Sequence, residues 1–418
     1  MSTEKPLPPA FSPARAGGDV GAVREPPLPR GAGEGTGAGF STLALFTTAV
    51  FGIVLAITMV GPLLLDLGRE FDVSLGQAGL LAAAMALPWA VGAPFAGLLS
   101  DRLGRRPLIV LALGGIGAST LGAALAPDFN TLLLTRFLAG LFGAFGPPSL
   151  MASVGDLFPP ERRGMAMGWL NMGFSLAAVA GVPLISAVGG LFGWRWAFAV
   201  TGLTLLVLAL LVHLRFPPPR PTASGTSVLA TYRSVLGVPL LGNVLAANLL
   251  ERAIFNAAAL YLPSFLMLSY GLDAVAVAPS LVLVAVGTML GNVLGGWLAD
   301  RGNKAAIFVV AQLLAGGVGL LLFGLPLGLV ASALGGTLFG LANAASRPAF
   351  LALATELSAH YRGSLLGLLS LTNQGGVVIG SALGGLVIGL GGYPALAAVT
   401  LASGALAAAL ALPLAKRT

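Results

Sequence analysis

Long apolar runs of about 20 residues recur from Phe40 to Leu412, broken by short clusters of Gly, Pro and charged residues. A run of that length forms a helix that crosses roughly 30 Å of hydrocarbon. With the clusters as punctuation, the pattern predicts spans at 40–65, 76–99, 107–126, 130–153, 164–189 and 195–214. A second group follows at 240–268, 275–299, 305–323, 327–353, 364–389 and 393–413. Between the groups, residues 216–238 are polar and Pro-rich, too hydrophilic to span, and read as a linker. Residues 1–39 mix Pro, Gly and Ala with charges of both signs and no continuous apolar core, so they read as a disordered tail. The first apolar stretch is of spanning length and reads as a membrane helix, not a cleaved leader. The chain is expected to be an all-α membrane protein of twelve helices, with one six-helix bundle over 40–215, a second over 239–413, and a closing tail at 414–418.

Composition agrees with this pattern. A chain that is 56% apolar and 9% charged, with a mean hydropathy of +0.93, has too few polar groups to cover a surface in water. The net charge of +7 does not point to nucleic acid, because the basic residues lie scattered between apolar runs instead of forming one patch. The absence of cysteine excludes disulfides, thiol catalysis and thiolate metal sites, and His213 and His360 are too few for a histidine metal centre. With no nucleophile motif either, neither an enzyme nor a cofactor is expected.

The positions of the basic residues add orientation. With the N-terminus inside, 17 of the 22 lysines and arginines fall in inside segments, against Arg69 and Arg195 outside; Arg136, Arg252 and Arg347 fall within spans. Because cytoplasmic loops retain positive charge, this asymmetry predicts both termini in the cytoplasm and an even number of spans, in a plasma (inner) membrane. An internal repeat is also present, at a constant offset of 199 residues. Gly92 matches Gly291, Gly97 matches Gly296, Asp101 matches Asp300, Arg102 matches Arg301 and Arg105 matches Lys304. Arg163-Gly164 matches Arg362-Gly363, Gly181 matches Gly380 and Gly193 matches Gly392. Two parallel halves with a solute site near the midplane between them are the architecture this implies, sufficient as a monomer.

The loop between spans 2 and 3 reads GLLSDRLGRRPLIV, and its repeat reads GGWLADRGNKAAIFV. These resemble the loop signature of the major facilitator superfamily, with Gly104 replaced by Asn303 in the second copy. The resemblance implies a gating role for Gly97, Asp101, Arg102, Gly104, Arg105, Asp300, Arg301 and Lys304, with Asp101 meeting the positive end of a second-half helix when the cytoplasmic side is shut. DLFPPERRG and ELSAHYRG add Asp156, Arg162, Arg163, Glu356 and Arg362 as a charge network that breaks on opening. The other reading of these charges is that they only set topology. Span 4 reads LLLTRFLAGLFGAFG and resembles the family's second signature, which implies proton coupling through Arg136, although Ala139 stands where the family has Gln. Span 5, GFSLAAVAGVPLISAVGG, resembles the antiporter signature of drug exporters, with Val182 separating Gly181 from Pro183.

Candidate chemistry lies deep in the spans, where a charge is costly and normally has a partner or a task. Arg136 lies roughly 9 Å inside the outer end of span 4, and Asp66 at the outer end of span 1 is a candidate partner, either for proton coupling or in a structural ion pair that braces the outer mouth. Glu251 and Arg252 fall near the middle of span 7. Successive helical residues point about 100° apart, so these two are not expected to neutralise each other. Arg347 in span 10 lies about 13 Å from the inner boundary, at the depth of Glu251, and the two are expected to pair. Desolvation pushes such a carboxylate toward protonation and a neighbouring cation pulls it back, which suits a proton carrier; a permanent structural pair is the other reading. Arg252, Asn248, Asn256, Asn343, Phe255, Asn373 and Gln374 are candidate solute contacts, with Tyr261 beside Phe255 as candidate aromatic surface; the alternative is that the amides only join helices.

Three deep arginines against one deep glutamate favour a neutral, zwitterionic or anionic solute. The expected function is alternating-access transport of a small organic solute, with proton-coupled export of a drug, sugar or metabolite ahead of organic-anion uptake. A non-transporting membrane sensor is the reading from another class.

Overall fold

The computed structural model describes residues 36–216, 239–357 and 362–415. Among them every regular element is helical. In the first half these are α1 (Phe40–Glu70), α2 (Leu75–Leu103), α3 (Arg105–Ala124), α4 (Phe129–Leu157), α5 (Glu161–Phe192) and α6 (Trp194–Arg215). In the second they are α7 (Leu241–Tyr270), α8 (Ala274–Arg301), α9 (Lys304–Gly324) and α10 (Leu329–Leu357). The helical run Arg362–Ala415 leaves helical geometry at Gly391 and Gly392, which divides it into α11 (362–390) and α12 (393–415). Twelve spans result, each within a few residues of its sequence expectation. The expected tail before residue 36 and most of the linker, 217–238, lie outside the described residues, as do the side chains of Asp101 and Arg362 and the surroundings of Gly97.

Local chemistry sets the turns between spans. Ser74 and Gln77 form a reciprocal capping box at the start of α2, while Asp128 and Asp273 cap α4 and α8. The repeat is visible in the backbone: Gly193 (φ 91°) and Gly392 (φ 66°), 199 positions apart, make left-handed turns that a side chain resists. The departure from the repeat is explained in the same way. Gly104 turns the chain at φ 89°, whereas Asn303 has φ −68° and spends its side chain capping α9 through Ala306 N–H. Inside α5, Ala177–Gly181 forms a π turn ahead of Pro183, with Val182 N–H reaching back five residues to Ala177 O.

Packing differs at the two ends of the bundle. At the end opposite the arginine-rich loops, one apolar core joins both halves, with Leu63, Leu64, Leu81 and Phe198 packed in the same cluster as Leu260, Tyr261, Phe265 and Phe323. Backbones meet there: a Cβ on Gly76 of α2 would stand 2.7 Å from the carbonyl oxygen of Gly385 in α11. Ser186 of α5 donates to Ala274 O of α8, closing a second seam. At the arginine-rich end the core divides into two separate clusters, one built from Phe46, Ile53, Leu150 and Leu205 and one from Val244, Phe308, Phe350 and Leu369. The halves are therefore sealed together at one end and parted at the other. The side chain of Tyr261, read from sequence as solute-facing aromatic surface, belongs instead to the seal: it is fully buried and donates to Ser381 O at 2.6 Å.

Candidate functional site

Helix packing brings the deep polar residues of the second half together. Close approach of α11 to α7 is possible because Gly376 and Gly380 carry no side chain; a Cβ on Gly380 would lie 2.3 Å from Ala253 O. That contact sets Asn373 of α11 beside Asn248 of α7. Glu251 lies ten residues into α7 and Arg347 ten residues before the end of α10, each about 15 Å from its helix end and so near the middle of the bilayer.

Glu251 is 1% exposed and is held by two guanidinium groups. Arg347 Nη1 lies 3.2 Å from Glu251 Oε2, which is the pairing expected from their depths. Arg252 Nε donates to the same oxygen at 2.6 Å, and Arg252 Nη2 bonds Glu251 Oε1. This corrects the expectation that the neighbours do not neutralise each other. Their Cβ vectors do diverge, but the arginine side chain is long enough to curl back to the carboxylate.

Amides complete the network. Arg347 donates to Asn248 Oδ1 at 2.6 Å and to Asn373 Oδ1 at 2.8 Å. Asn248 then donates to Thr372 Oγ1 at 2.6 Å and Asn373 Oδ1 at 3.0 Å, so one buried amide joins α7, α10 and α11. Asn343 accepts from Arg252 Nη2 at 3.4 Å and is braced through Ser346 to Gln312 of α9. The Phe255 ring lies 5.0 Å from the Arg252 guanidinium carbon, within cation–π range. Asn256 donates to Arg252 O, and with Gln374 it lines a cavity between the halves that also touches Ile57, Met85 and Trp89. One carboxylate against two guanidinium groups leaves a formal excess of one positive charge. Sequence reasoning missed Gln312, Ser346 and Thr372, whose only signal was polarity within apolar runs.

The first half is different. Arg136 is fully buried, yet it does not meet Asp66. Its Nη2 donates to Ala56 O at 2.8 Å and lies 2.8 Å from the Met85 sulfur, while Nε and Nη1 find no acceptor among the described residues. The expected pair fails on geometry, because Asp66 stands ten residues beyond Ala56, about 15 Å further along α1. Asp66 instead lines a cavity of about 310 Å³ at the sealed end, with Arg69, Trp194 and Asp273.

The expected gating residues form pairs within each half. Arg105 bonds Asp156 at 2.9 Å in the first half, and Lys304 bonds Glu356 at 3.0 Å in the second, nearly equivalent positions in the repeat. Arg163 donates to Phe158 O of the preceding loop and to Gly155 O at the end of α4, and Arg301 stacks on Trp297 of its own helix. Arg102, Arg162 and Asp300 are exposed. Every ion pair found among the described residues joins groups of one half, as an open arginine-rich end requires.

Comparison with known proteins matches this geometry. The model of the Major Facilitator Superfamily matches residues 46–336 and 280–418. The chain is 28% identical over 284 residues to the uncharacterized MFS-type transporter YceJ of Bacillus subtilis, covering 68% of this chain and 72% of that one. It is 33% identical over 238 residues to the inner membrane transport protein YdhP of Escherichia coli, covering 56% and 60%. A chloramphenicol resistance protein of Streptomyces lividans is 29% identical over 275 residues, covering 65% and 70%. In fold, the chain is similar to a bacterial homolog of the human lysosomal transporter Spinster, solved inward-facing and unoccupied, with a TM-score of 0.75 and 20% identity over 90% of this chain and 97% of that one.

Proposed function

Because the chain belongs to the Major Facilitator Superfamily and is a multi-pass membrane transporter of small solutes, we propose that it couples solute movement to protons through Glu251. The observation that carries this reading is a buried carboxylate near the midplane, gripped by Arg252 and Arg347, whose side chains are 19% and 17% exposed. A proton arriving at Glu251 removes the charge that both guanidinium groups hold. Arg252 and Arg347 then turn to other acceptors, either on the solute or on the amides of α10 and α11. Loss of the proton restores the clamp and expels a solute that competes for the same donors. Alternating access follows from the two ends: the arginine-rich end is the cytoplasmic one by charge bias, and the open arrangement is then inward-facing.

Replacing Glu251 with Gln keeps the shape and removes the titration. In proteoliposomes, Glu251→Gln is expected to abolish transport driven by a pH gradient while leaving insertion intact, and unchanged driven transport would reject the proton-carrier role. Export is the direction favoured by the likeness to the Streptomyces lividans chloramphenicol resistance protein and by the π turn of α5, which ends at Gly181 ahead of Pro183. The single excess positive charge of the second-half site favours a second reading, organic-anion uptake. Flux measured with the pH gradient imposed and then collapsed, across cationic, neutral and anionic solutes, separates the two.

A further inference from the structure

We infer that Arg136 is a capped anion seat, and that the solute carries an acidic group, such as a carboxylate, that reaches this seat when the Met85 side chain swings aside. The inference rests on reading the cavity between the halves as the solute path, and it names the class of solute.

Three observations meet here. Arg136 is a full cation at 0% exposure with two nitrogens, Nε and Nη1, that have no acceptor among the described residues. Among the described residues its hydrogen-bond partners are a backbone carbonyl and a thioether, the latter a weak acceptor, and the Phe198 ring, 5.9 Å from its guanidinium carbon, brings no counter-charge. A buried cation without a counter-charge is costly, and an entering anion relieves that cost more than any neutral group. Second, the thioether is itself the wall between the cation and the cavity: Met85 lies 2.8 Å from Arg136 and lines the cavity together with Ile57, Thr58 and Trp89. Third, the backbone of Met85 is pinned, which leaves its side chain as the part that would move. Gly140, one turn after Arg136, packs against the Met85 backbone so closely that a Cβ there would lie 1.9 Å from Met85 O. Methionine has three rotatable bonds and no branch, which suits a movable cover.

The lining gives the shape of the solute. Its acidic group points to Arg136, an apolar body lies against Ile57 and Trp89, and a polar far end meets Asn256 or Gln374 of the opposite half. Such a solute bridges the halves, with its charge in the first and its coupling partner in the second.

Benzoate, benzamide and benzylamine serve as matched anionic, neutral and cationic probes of thermal unfolding of the detergent-purified full chain. Benzoate is expected to give the largest upward shift. Met85→Ala, which removes the cover, is expected to lower the half-saturating benzoate concentration about tenfold. Met85→Glu places a carboxylate where the sulfur stands; it is expected to raise the melting temperature without ligand and to erase the benzoate shift. Glu251→Gln is expected to keep the benzoate shift, so loss of coupling and loss of this seat are read separately. Four results each overturn the inference: benzoate acting no better than benzamide in both wild type and Met85→Ala, Met85→Glu lowering the melting temperature, a benzoate shift that survives Met85→Glu, or a shift that disappears in Arg347→Gln while Met85→Ala changes nothing.

Discussion

The two halves share a fold and a repeat, yet they treat buried charge in opposite ways. In the second half, Glu251 is neutralised by Arg252 and Arg347, and Asn248, Asn343 and Asn373 take up further donors. In the first half, the positions 199 residues earlier are Gly52 for Glu251, Ala49 for Asn248, Ala144 for Asn343, Pro148 for Arg347 and Phe174 for Asn373. Its one deep cation, Arg136, has no counterpart either, since Gly335 stands at the matching position. The duplicated scaffold thus supplies symmetric helices for rocking, while the chemistry is divided. One half holds a self-compensated cluster able to exchange a proton, and the other holds a cation whose compensation must come from elsewhere.

The largest expected effect comes from removing the compensation. Glu251→Leu leaves Arg252 and Arg347 buried with nothing to neutralise them and is expected to cost about 3–5 kcal/mol of stability, read as a strongly lowered melting temperature. Arg136→Leu is expected to leave melting unchanged or raised, because an uncompensated cation is replaced by apolar volume. A large loss in both variants would erase the contrast between the halves.

Asn248→Ala probes the cluster at its hub and removes acceptors and donors that join three helices. It is expected to cost about 1–3 kcal/mol and to weaken driven transport, as measured by melting and by flux in proteoliposomes. Conformational balance is tested at the seal. Gly79→Val of α2 collides with the Tyr261 hydroxyl of α7, since even a Cβ would lie 1.9 Å from it, and is expected to part the sealed end. Increased labelling of a cysteine introduced at Thr58 from the arginine-poor side would register that opening. The smallest effect belongs to the surface pairs. Asp156 and Glu356 are 54% and 49% exposed, and Asp156→Ala or Glu356→Ala is expected to change stability by less than about 1 kcal/mol, read by thermal melting.

Much of this was legible in the order of residues. Hydropathy located all twelve spans because burial in lipid imposes a length and a composition on each helix separately. The constant offset located the duplication, and helical rise placed Glu251 and Arg347 at one depth. The same reasoning failed for Arg136 and Asp66, since Asp66 sits at the outer end of α1 while Arg136 is level with Ala56, ten residues deeper. It also failed for Arg252, whose reach depends on a rotamer and not on the direction of its Cβ.

The sequence by itself determined that this chain lives in a bilayer, that it is built twice, and that a few charges lie where lipid forbids them without cause. Those properties are local or periodic, so each can be counted along a line. Only the tertiary structure decided which end is sealed, that Gln312, Ser346 and Thr372 belong to the cluster, and that Arg136 faces a thioether instead of an acid. Each of those depends on which helices touch and on which rotamer fills the gap between them, and contacts between residues 51 and 124 positions apart leave no mark on a hydropathy pattern.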